Sequence, residues 1–172
     1  MHHRGDFDLS RHQQFSGKKL EYIDQVTNRR FLPFIIETSV GADRALLAVL
    51  VNGYREEKVE GEEEGRTVLG LAPAIAPIKA GVFPLVKKDG MPEFAEKLTG
   101  ELRTRFPVFY DESGAIGRRY RRQDEVGTPF CVTVDGQTTQ DSTVTIRDRD
   151  TLKQDRVAAD RVAQWISQRL AE

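Results

Sequence analysis

The feature that most constrains the fold is a regular alternation of strand and helix patterns over the carboxy-terminal hundred residues. Segments rich in apolar and β-branched residues predict strands at residues 78–85, 107–110, 130–134 and 143–148. Amphipathic or glycine-terminated segments predict helices at residues 92–105 and 115–126. A last helix places its apolar residues inward, namely Ala158, Val162, Trp165, Ile166 and Leu170. The order β-α-β-α-β-β-α predicts a three-layer α/β domain with a mixed β-sheet flanked by helices.

Composition narrows the classes of function. Apolar residues make up 38% of the 172 residues, charged residues 31%, and the formal net charge is -1. A polyanionic partner would therefore have to meet a local basic patch. No apolar run approaches the ~20 residues needed to span a membrane, and the first residues are too polar for a signal peptide. We expect a cytoplasmic protein that does not bind membranes.

Cysteine usage excludes further classes. Cys131 is the only cysteine, so neither an internal disulfide nor a cysteine-based zinc site can form. We expect Cys131 to be a small buried residue in a strand. No metal site is predicted.

An acidic segment divides the chain. Residues 56–65 contain six glutamates, two glycines and almost no apolar side chain. Such a segment repels itself and cannot bury surface, which favours a solvated connection over a functional acidic tail. We therefore predict an amino-terminal part at residues 1–55, an acidic linker at residues 56–70 and a carboxy-terminal domain at residues 71–172.

The amino-terminal part has a weaker pattern. Residues 30–40 are apolar and β-branched, which predicts a buried strand. Gly41 follows, and residues 42–56 predict a helix with one apolar face. That face consists of Leu46, Leu47, Leu50, Val51 and Tyr54. Residues 3–9 and 19–26 are interpreted as a polar turn and a short strand.

The densest cationic stretch in the chain is Arg-Arg-Tyr-Arg-Arg at residues 118–122. On a helix, Arg118, Arg121 and Arg122 share one side, whereas Tyr120 points to the core. Guanidinium groups bind phosphate oxygens in a bidentate manner and stack on bases, which suits single-stranded RNA. The alternative is a solvated helix face that is neutralised by Asp124 and Glu125. Spacing alone does not decide between them.

A second charged run has the sequence Arg-Asp-Arg-Asp at residues 147–150. Its charges alternate in sign. We interpret it as paired charge on the surface.

Residues 37–44 form the other candidate site. Glu37 and Ser39 lie two apart on a predicted strand, so their side chains face the same way and together could hold an ammonium group. Arg44, near the start of a helix, could reach a phosphate with help from the positive end of that helix. The alternative is a charged strand end at which Asp43 caps the helix.

These residues resemble a known family. The segment Glu-x-Ser-x-Gly-x-Asp-Arg, within residues 34–44, resembles motif 3 of class II aminoacyl-tRNA synthetases in the form found in glycyl-tRNA synthetases. Other similar segments are residues 3–9, 19–24, 71–79, 84–88, 117–129 and 143–151. The resemblance covers nearly the whole chain in order, with motif 3 followed by an anticodon-binding domain.

The resemblance implies roles for particular residues. Arg44 would bind the γ-phosphate of ATP as a catalytic residue, with Gly41 also at the ATP site, and Glu37 with Ser39 would bind the α-amino group of glycine. Thr38 stands where the family usually has proline. The carboxy-terminal domain would read the C-C of the glycine anticodon, with Arg118, Arg121 and Arg122 on the tRNA.

Motifs 1 and 2 of the family do not occur in these 172 residues. We therefore expect the chain by itself to bind the tRNA anticodon but not to form glycyl-adenylate. The full enzyme implied by the resemblance is a homodimer that uses glycine and ATP with Mg²⁺ and aminoacylates tRNA(Gly), and we expect no tightly bound cofactor here. The alternative is a free-standing RNA-binding or accessory-subunit relative without catalysis.

Overall fold

A computed structural model describes residues 1–58 and 65–170. The chain forms two compact units, Met1–Leu46 and the part from Leu47 onward. The predicted boundary at residue 55 lies within the second unit.

The elements are numbered along the chain. In the described residues the strands are β1 (His2–Gly5), β2 (Tyr22–Ile23), β3 (Arg30–Phe31), β4 (Ile35–Glu37), β5 (Tyr54–Glu57), β6 (Arg66–Leu69), β7 (Ala80–Pro84), β8 (Val108–Tyr110), β9 (Phe130–Val134), β10 (Thr143–Asp148) and β11 (Gln154–Ala158). The helices are α1 (Phe7–Ser16), α2 (Ala42–Gly53), α3 (Met91–Arg103), α4 (Ile116–Val126), α5 (Thr138–Asp141) and α6 (Val162–Leu170). A 3-10 turn at Ala159–Arg161 precedes α6.

The first unit contains short antiparallel pairs rather than a buried strand. β1 pairs with β4, and β2 pairs with β3. The predicted buried strand at residues 30–40 is wrong, because it is interrupted between β3 and β4, and Phe34 and Ile36 are each 65% exposed. Apolar composition predicts burial only where another surface covers the strand, and β4 pairs in this unit with β1. The predicted polar turn at residues 3–9 is instead the end of β1 and the start of α1.

Helix α2 confirms the predicted helix after Gly41 but ends at Gly53, because residues 54–57 form β5. The apolar residues of the predicted face are exposed in the described structure, including Leu46, Leu50 and Val51. The pattern therefore predicted the helix correctly but not the covering of its apolar face.

The second unit confirms the predicted mixed sheet. Among the described residues, five strands form a sheet in the order β11-β10-β9-β7-β8. β7 runs parallel to β8 and β9, whereas β10 runs antiparallel to β9 and β11. β9 and β10 occupy the predicted residues, 130–134 and 143–148.

One face of the sheet packs against α3 and α6. Alternate strand residues such as Val82, Val132 and Ile146 point to this side and are almost fully buried. They meet Leu98 of α3 and Ile166 of α6 in a continuous apolar core. Burying an aliphatic side chain contributes about 1.5–3 kcal/mol, so this apolar layer stabilises the unit substantially.

The opposite face packs against α4, which completes the predicted three layers. Phe83 of β7 and Thr133 of β9 point to this side and contact Tyr120 of α4. α4 ends at Gly127, whose φ of +83° lies in the left-handed region. A Cβ there would lie 2.9 Å from the Leu69 carbonyl oxygen, so this close approach of α4 to β6 requires glycine.

Two features of this unit were not predicted. β11 precedes the last helix and includes Ala158, which was predicted to lie in that helix. Its first residues, Gln154, Asp155 and Arg156, are polar and exposed because it is an edge strand. The ends of the predicted acidic linker form the β5–β6 hairpin, in which Arg66 and Val68 are buried. Residues 59–64, between these strands, lie outside the described residues.

We expect amide hydrogen exchange to separate the two units. The amides of Val82, Val132 and Ile146 lie in strands with a neighbour on each side and should be far better protected than those of Ile35 and Ile36 in the β1–β4 pair. Exchange measured by NMR would show this difference. Equal protection in the two groups would show that β4 is covered as completely as the central sheet.

Cys131 should make the stability depend on alkaline pH. Burial raises the pKa of its thiol to about 12, whereas an unfolded chain ionises it near pH ~8.5. Its contribution is present below that pH and is lost as the pH rises toward about 12, because only the unfolded state loses the proton. Urea unfolding of the parent and of Cys131→Ala between about pH 8 and 10 would measure this. An equal loss of stability with rising pH in both proteins would contradict this prediction.

Candidate nucleic-acid interface

The cationic stretch of α4 divides into arginines with different surroundings. Arg118 and Arg122 are exposed, Arg121 is half-buried and Arg119 is buried. The Arg119 guanidinium donates to the carbonyl oxygens of Pro84 and Gly114. Arg119 therefore fastens the start of α4 to the end of β7 and has a structural role.

Tyr120 packs inward on the sheet, as predicted. Its hydroxyl is 2.6 Å from Thr133 Oγ1, and its ring lies edge-on to Phe83, with 5.9 Å between the ring centres. The guanidinium carbon of Arg147 lies 4.9 Å from the centre of the Tyr120 ring. Burial raises the pKa of Tyr120 above its ordinary value. The side chain is only half-buried, so part of it remains on the surface.

That part of Tyr120 lines a surface pocket of about 480 Å³, here called the α4 pocket. The pocket is lined by Ala115, Gly117, Arg118, Tyr120, Arg121, Arg147, Leu152 and Gln154. Arg118 and Arg121 come from α4, whereas Arg147 and Gln154 lie directly opposite each other on β10 and β11. The arrangement joins guanidinium groups, an aromatic side chain and an amide in one concave site.

The structure brings Arg118 and Arg121 together at the α4 pocket and places Arg122 elsewhere. Arg122 Nη2 donates to Asp111 Oδ2 at 2.6 Å and to the Ser113 carbonyl oxygen at 2.7 Å. Arg122 is thus held by the loop that follows β8. It can contribute charge from that side but does not line the pocket.

The alternative interpretation of α4 required Asp124 to neutralise a solvated helix face. The structure contradicts this for Asp124. Its side chain has 0% exposure. Its carboxylate accepts from Arg147 Nη1 and Nη2, both at 2.9 Å, and from Arg66 Nη1 at 3.1 Å. Arg66, Asp124 and Arg147 together form the Asp124 cluster.

The run at residues 147–150 is not paired surface charge, so that prediction is wrong. Arg147 is 6% exposed and Arg149 is 2% exposed. Arg149 donates to the carbonyl oxygens of Gly127 at 2.8 Å and Leu71 at 2.7 Å, and to Asp150 Oδ2 at 2.7 Å. Buried guanidinium groups are tolerated because carbonyl and carboxylate oxygens satisfy their N–H groups. The two carbonyl partners, Gly127 and Leu71, come from distant parts of the chain and leave no signal in the local sequence.

The polar surface continues beyond the pocket along β10 and β11. Arg156 donates to Asp135 Oδ1 at 2.9 Å, Thr145 Oγ1 at 3.0 Å and Thr143 Oγ1 at 2.6 Å. The guanidinium lowers the pKa of Asp135 below its ordinary value. Sequence reasoning missed Arg156 and Gln154 because it did not find β11. Val157 is the only β-branched residue of that strand, so its sequence gives little strand signal.

The other candidate residues lie in the first unit, along the segment from β4 to the first turn of α2, and all are exposed. Glu37 is in β4, and its Oε2 lies 3.6 Å from Arg4 Nε. Ser39 and Gly41 lie in the connection to α2, and Arg44 lies in the first turn of that helix. Their predicted roles toward glycine and ATP stay predictions.

The described residues contain no group of three or more His, Cys, Asp or Glu side chains that could hold a metal ion. None of the helices in residues 1–58 and 65–170 is long and apolar enough to cross a membrane.

The fold and the site define an α/β module with a cationic pocket beside a polar sheet edge. The family model described as "Anticodon binding domain" matches residues 79–169, which is more than half of the chain. The chain belongs to this family of anticodon-binding domains.

Curated relatives extend the similarity into the first unit. The chain is 50% identical to a glycine–tRNA ligase of Rhodopirellula baltica, over 98% of this chain and 36% of that protein. It is 51% identical to the glycine–tRNA ligase of Chlorobaculum tepidum, over 99% of this chain and 36% of the relative. It is 53% identical to the glycine–tRNA ligase of Caldanaerobacter subterraneus subsp. tengcongensis, over 97% of this chain and 35% of the relative. The chain thus spans about a third of the length of these relatives.

The hydrogen bond between Tyr120 and Thr133 should stabilise the wall of the α4 pocket measurably. Tyr120→Phe should lower the free energy of unfolding by on the order of 1 kcal/mol, because it leaves the buried Thr133 hydroxyl without this partner. Thr133→Val should cost a similar amount, and the double variant should cost less than the sum. Urea unfolding of the four proteins completes the cycle. Strict additivity would show that the contact is not energetically coupled.

Proposed function

We propose that this chain is the anticodon-binding part of a glycine–tRNA ligase, together with an adjoining segment of the catalytic domain. The α4 pocket is the observation that carries the proposal, because Arg118 and Arg121 meet Tyr120 and Arg147 there. The family match over residues 79–169 and the named relatives support it. In this proposal residues 1–55 belong to the catalytic domain and residues 71–172 bind the anticodon arm of tRNA(Gly). Residues 56–70 connect these two parts.

The pocket has the chemistry that an unstacked nucleotide requires. Guanidinium groups offer N–H donors to phosphate oxygens in a bidentate geometry. Single-stranded RNA loops are recognised by stacking of bases on aromatic or guanidinium planes and by hydrogen bonds to base edges. Arg118 and Arg121 supply the first function, and Tyr120, Arg147 and Gln154 supply groups for the second. Arg122 adds positive charge from the loop after β8, where it contacts Asp111.

The segment from β4 to α2 would serve the adenylation reaction of the whole enzyme. Glu37 with Ser39 would bind the ammonium group of glycine, and Arg44 with Gly41 would bind the ATP phosphates. Mg²⁺, which accompanies ATP, would neutralise part of the phosphate charge. The Glu37 carboxylate already lies near Arg4 in the structure, so an incoming ammonium would share it with that guanidinium. A homodimeric, cytoplasmic enzyme belongs to the same proposal.

Arg118→Ala should weaken binding of a tRNA(Gly) anticodon stem-loop several-fold. If Arg118 contacts one phosphate, the slope of log K against log[salt] should flatten by about 0.7, the value for single strands. The measurement is fluorescence anisotropy at several salt concentrations, with stem-loops that carry C-C or a changed sequence.

Arg105→Ala is the matched control for this experiment. It removes the same charge from an exposed arginine that follows α3, the helix on the opposite face of the sheet. We expect the control to bind like the parent, and the parent to bind the C-C stem-loop more tightly than the changed one. If Arg118→Ala and Arg105→Ala are indistinguishable, the α4 pocket is not the RNA site. If the parent does not prefer C-C, anticodon recognition by this chain is excluded.

A further inference from the structure

The Asp124 cluster reaches the α4 pocket through Arg147 and joins it to the β5–β6 hairpin. Asp124 Oδ1 accepts from Arg147 Nη1, and Oδ2 accepts from Arg147 Nη2 and from Arg66 Nη1. The carboxylate is fully buried and its distances to the three nitrogens are 2.9, 2.9 and 3.1 Å. Asp124 itself does not line the pocket, and of its two arginine partners only Arg147 does.

Arg147 is the pocket end of this cluster. A free arginine side chain has many rotamers, and ordering it costs conformational entropy. The bidentate contact with Asp124 holds the guanidinium in one plane, 4.9 Å from the centre of the Tyr120 ring and across from Gln154. The remaining N–H groups of Arg147 therefore have a fixed direction. This is what discrimination between base edges requires, since hydrogen-bond readout depends on the position of each donor.

Arg66 is the other end and belongs to the β5–β6 hairpin. Besides Asp124, it donates from Nε to Glu57 Oε2 at 2.9 Å and from Nη1 to the Arg149 carbonyl oxygen at 2.8 Å. Arg66 is buried and is not among the residues that line the α4 pocket. Arg66 and Arg147 share the Asp124 carboxylate. A change in the pairing of β5 with β6 that moves Arg66 would therefore also act on Arg147.

We propose that Asp124 is a positioning residue of the RNA site, which fixes Arg147 for base discrimination and couples it to Arg66 of the β5–β6 hairpin. The inference rests on the proposed function, because it assigns the discrimination of the α4 pocket to a residue that RNA does not touch. It adds that a substitution in the hairpin, away from the pocket, changes RNA selectivity.

Two substitutions test the positioning role. Asp124→Asn keeps the shape of the side chain but removes its charge and one acceptor oxygen. Arg66→Met removes the hairpin contact without altering any residue of the pocket. The measured quantity is the ratio of Kd for the changed stem-loop to Kd for the C-C stem-loop, at a temperature where circular dichroism shows each variant fully folded. We expect this ratio to fall about tenfold for Asp124→Asn and about threefold for Arg66→Met.

Matched variants separate positioning from a general loss of stability. Asp150→Asn removes a carboxylate that binds Arg149 and Arg55 but not Arg147, so it should keep the parent ratio. Arg66→Lys, which retains the charge, should restore part of the ratio lost in Arg66→Met. If Asp124→Asn does not fold, the Arg66 variants decide. If the folded variants all keep the parent ratio, Asp124 has a structural role only and the inference is wrong.

A readout without RNA keeps this inference distinct from the proposed function. In the free protein, solvent exchange of the Arg147 Nε–H, followed by ¹⁵N NMR, should be faster in Arg66→Met than in Asp150→Asn. A parent chain that does not discriminate between stem-loops overturns the proposed function, whatever this exchange shows. A parent that discriminates, with unchanged Arg147 exchange and unchanged selectivity in Arg66→Met, overturns the positioning role alone.

Discussion

The second unit depends on one buried carboxylate, that of Asp124. An isolated buried charge is strongly unfavourable, and removing one partner of a buried ion pair typically costs about 3–5 kcal/mol. Asp124 is therefore stable only where Arg147 of β10 and Arg66 of β6 reach it together. This requirement fixes the position of α4 relative to the sheet and to the β5–β6 hairpin. The same contacts hold Arg147 at the bottom of the α4 pocket.

The two faces of the sheet consequently have different physical roles. On the side of α3 and α6, residues such as Val132 and Ile166 form an apolar core, and apolar contacts of this kind are not directional. On the side of α4, the inward groups include hydroxyls, guanidiniums and a carboxylate beside the Phe83 ring, and these polar groups each have a specific partner. Hydrogen-bonded networks of this kind specify one arrangement. The α4 side of the sheet, whose hydrogen bonds fix the position of α4, is thus also the side that carries the candidate site.

Much of the fold could be predicted from the chain. The strands at residues 130–134 and 143–148 each contain a run of apolar and β-branched residues, which is visible without knowledge of the neighbouring strands. β11 could not be found in this way, because an edge strand keeps polar side chains in solvent and resembles a loop. The predicted burial of residues 30–40 failed for the opposite reason. Composition indicates that a strand can be buried, but only a covering surface buries it.

The sequence by itself determined the order of elements, the inward direction of Tyr120, the buried position of Cys131 and the family resemblance. These follow from local periodicity and from motifs that are continuous along the chain. Only the tertiary structure decided which arginines are free to meet a ligand. Arg119 and Arg149 look as exposed in the sequence as Arg118, yet they are buried. Their acceptors lie up to 78 positions away in the chain, and only folding brings such partners within hydrogen-bonding distance.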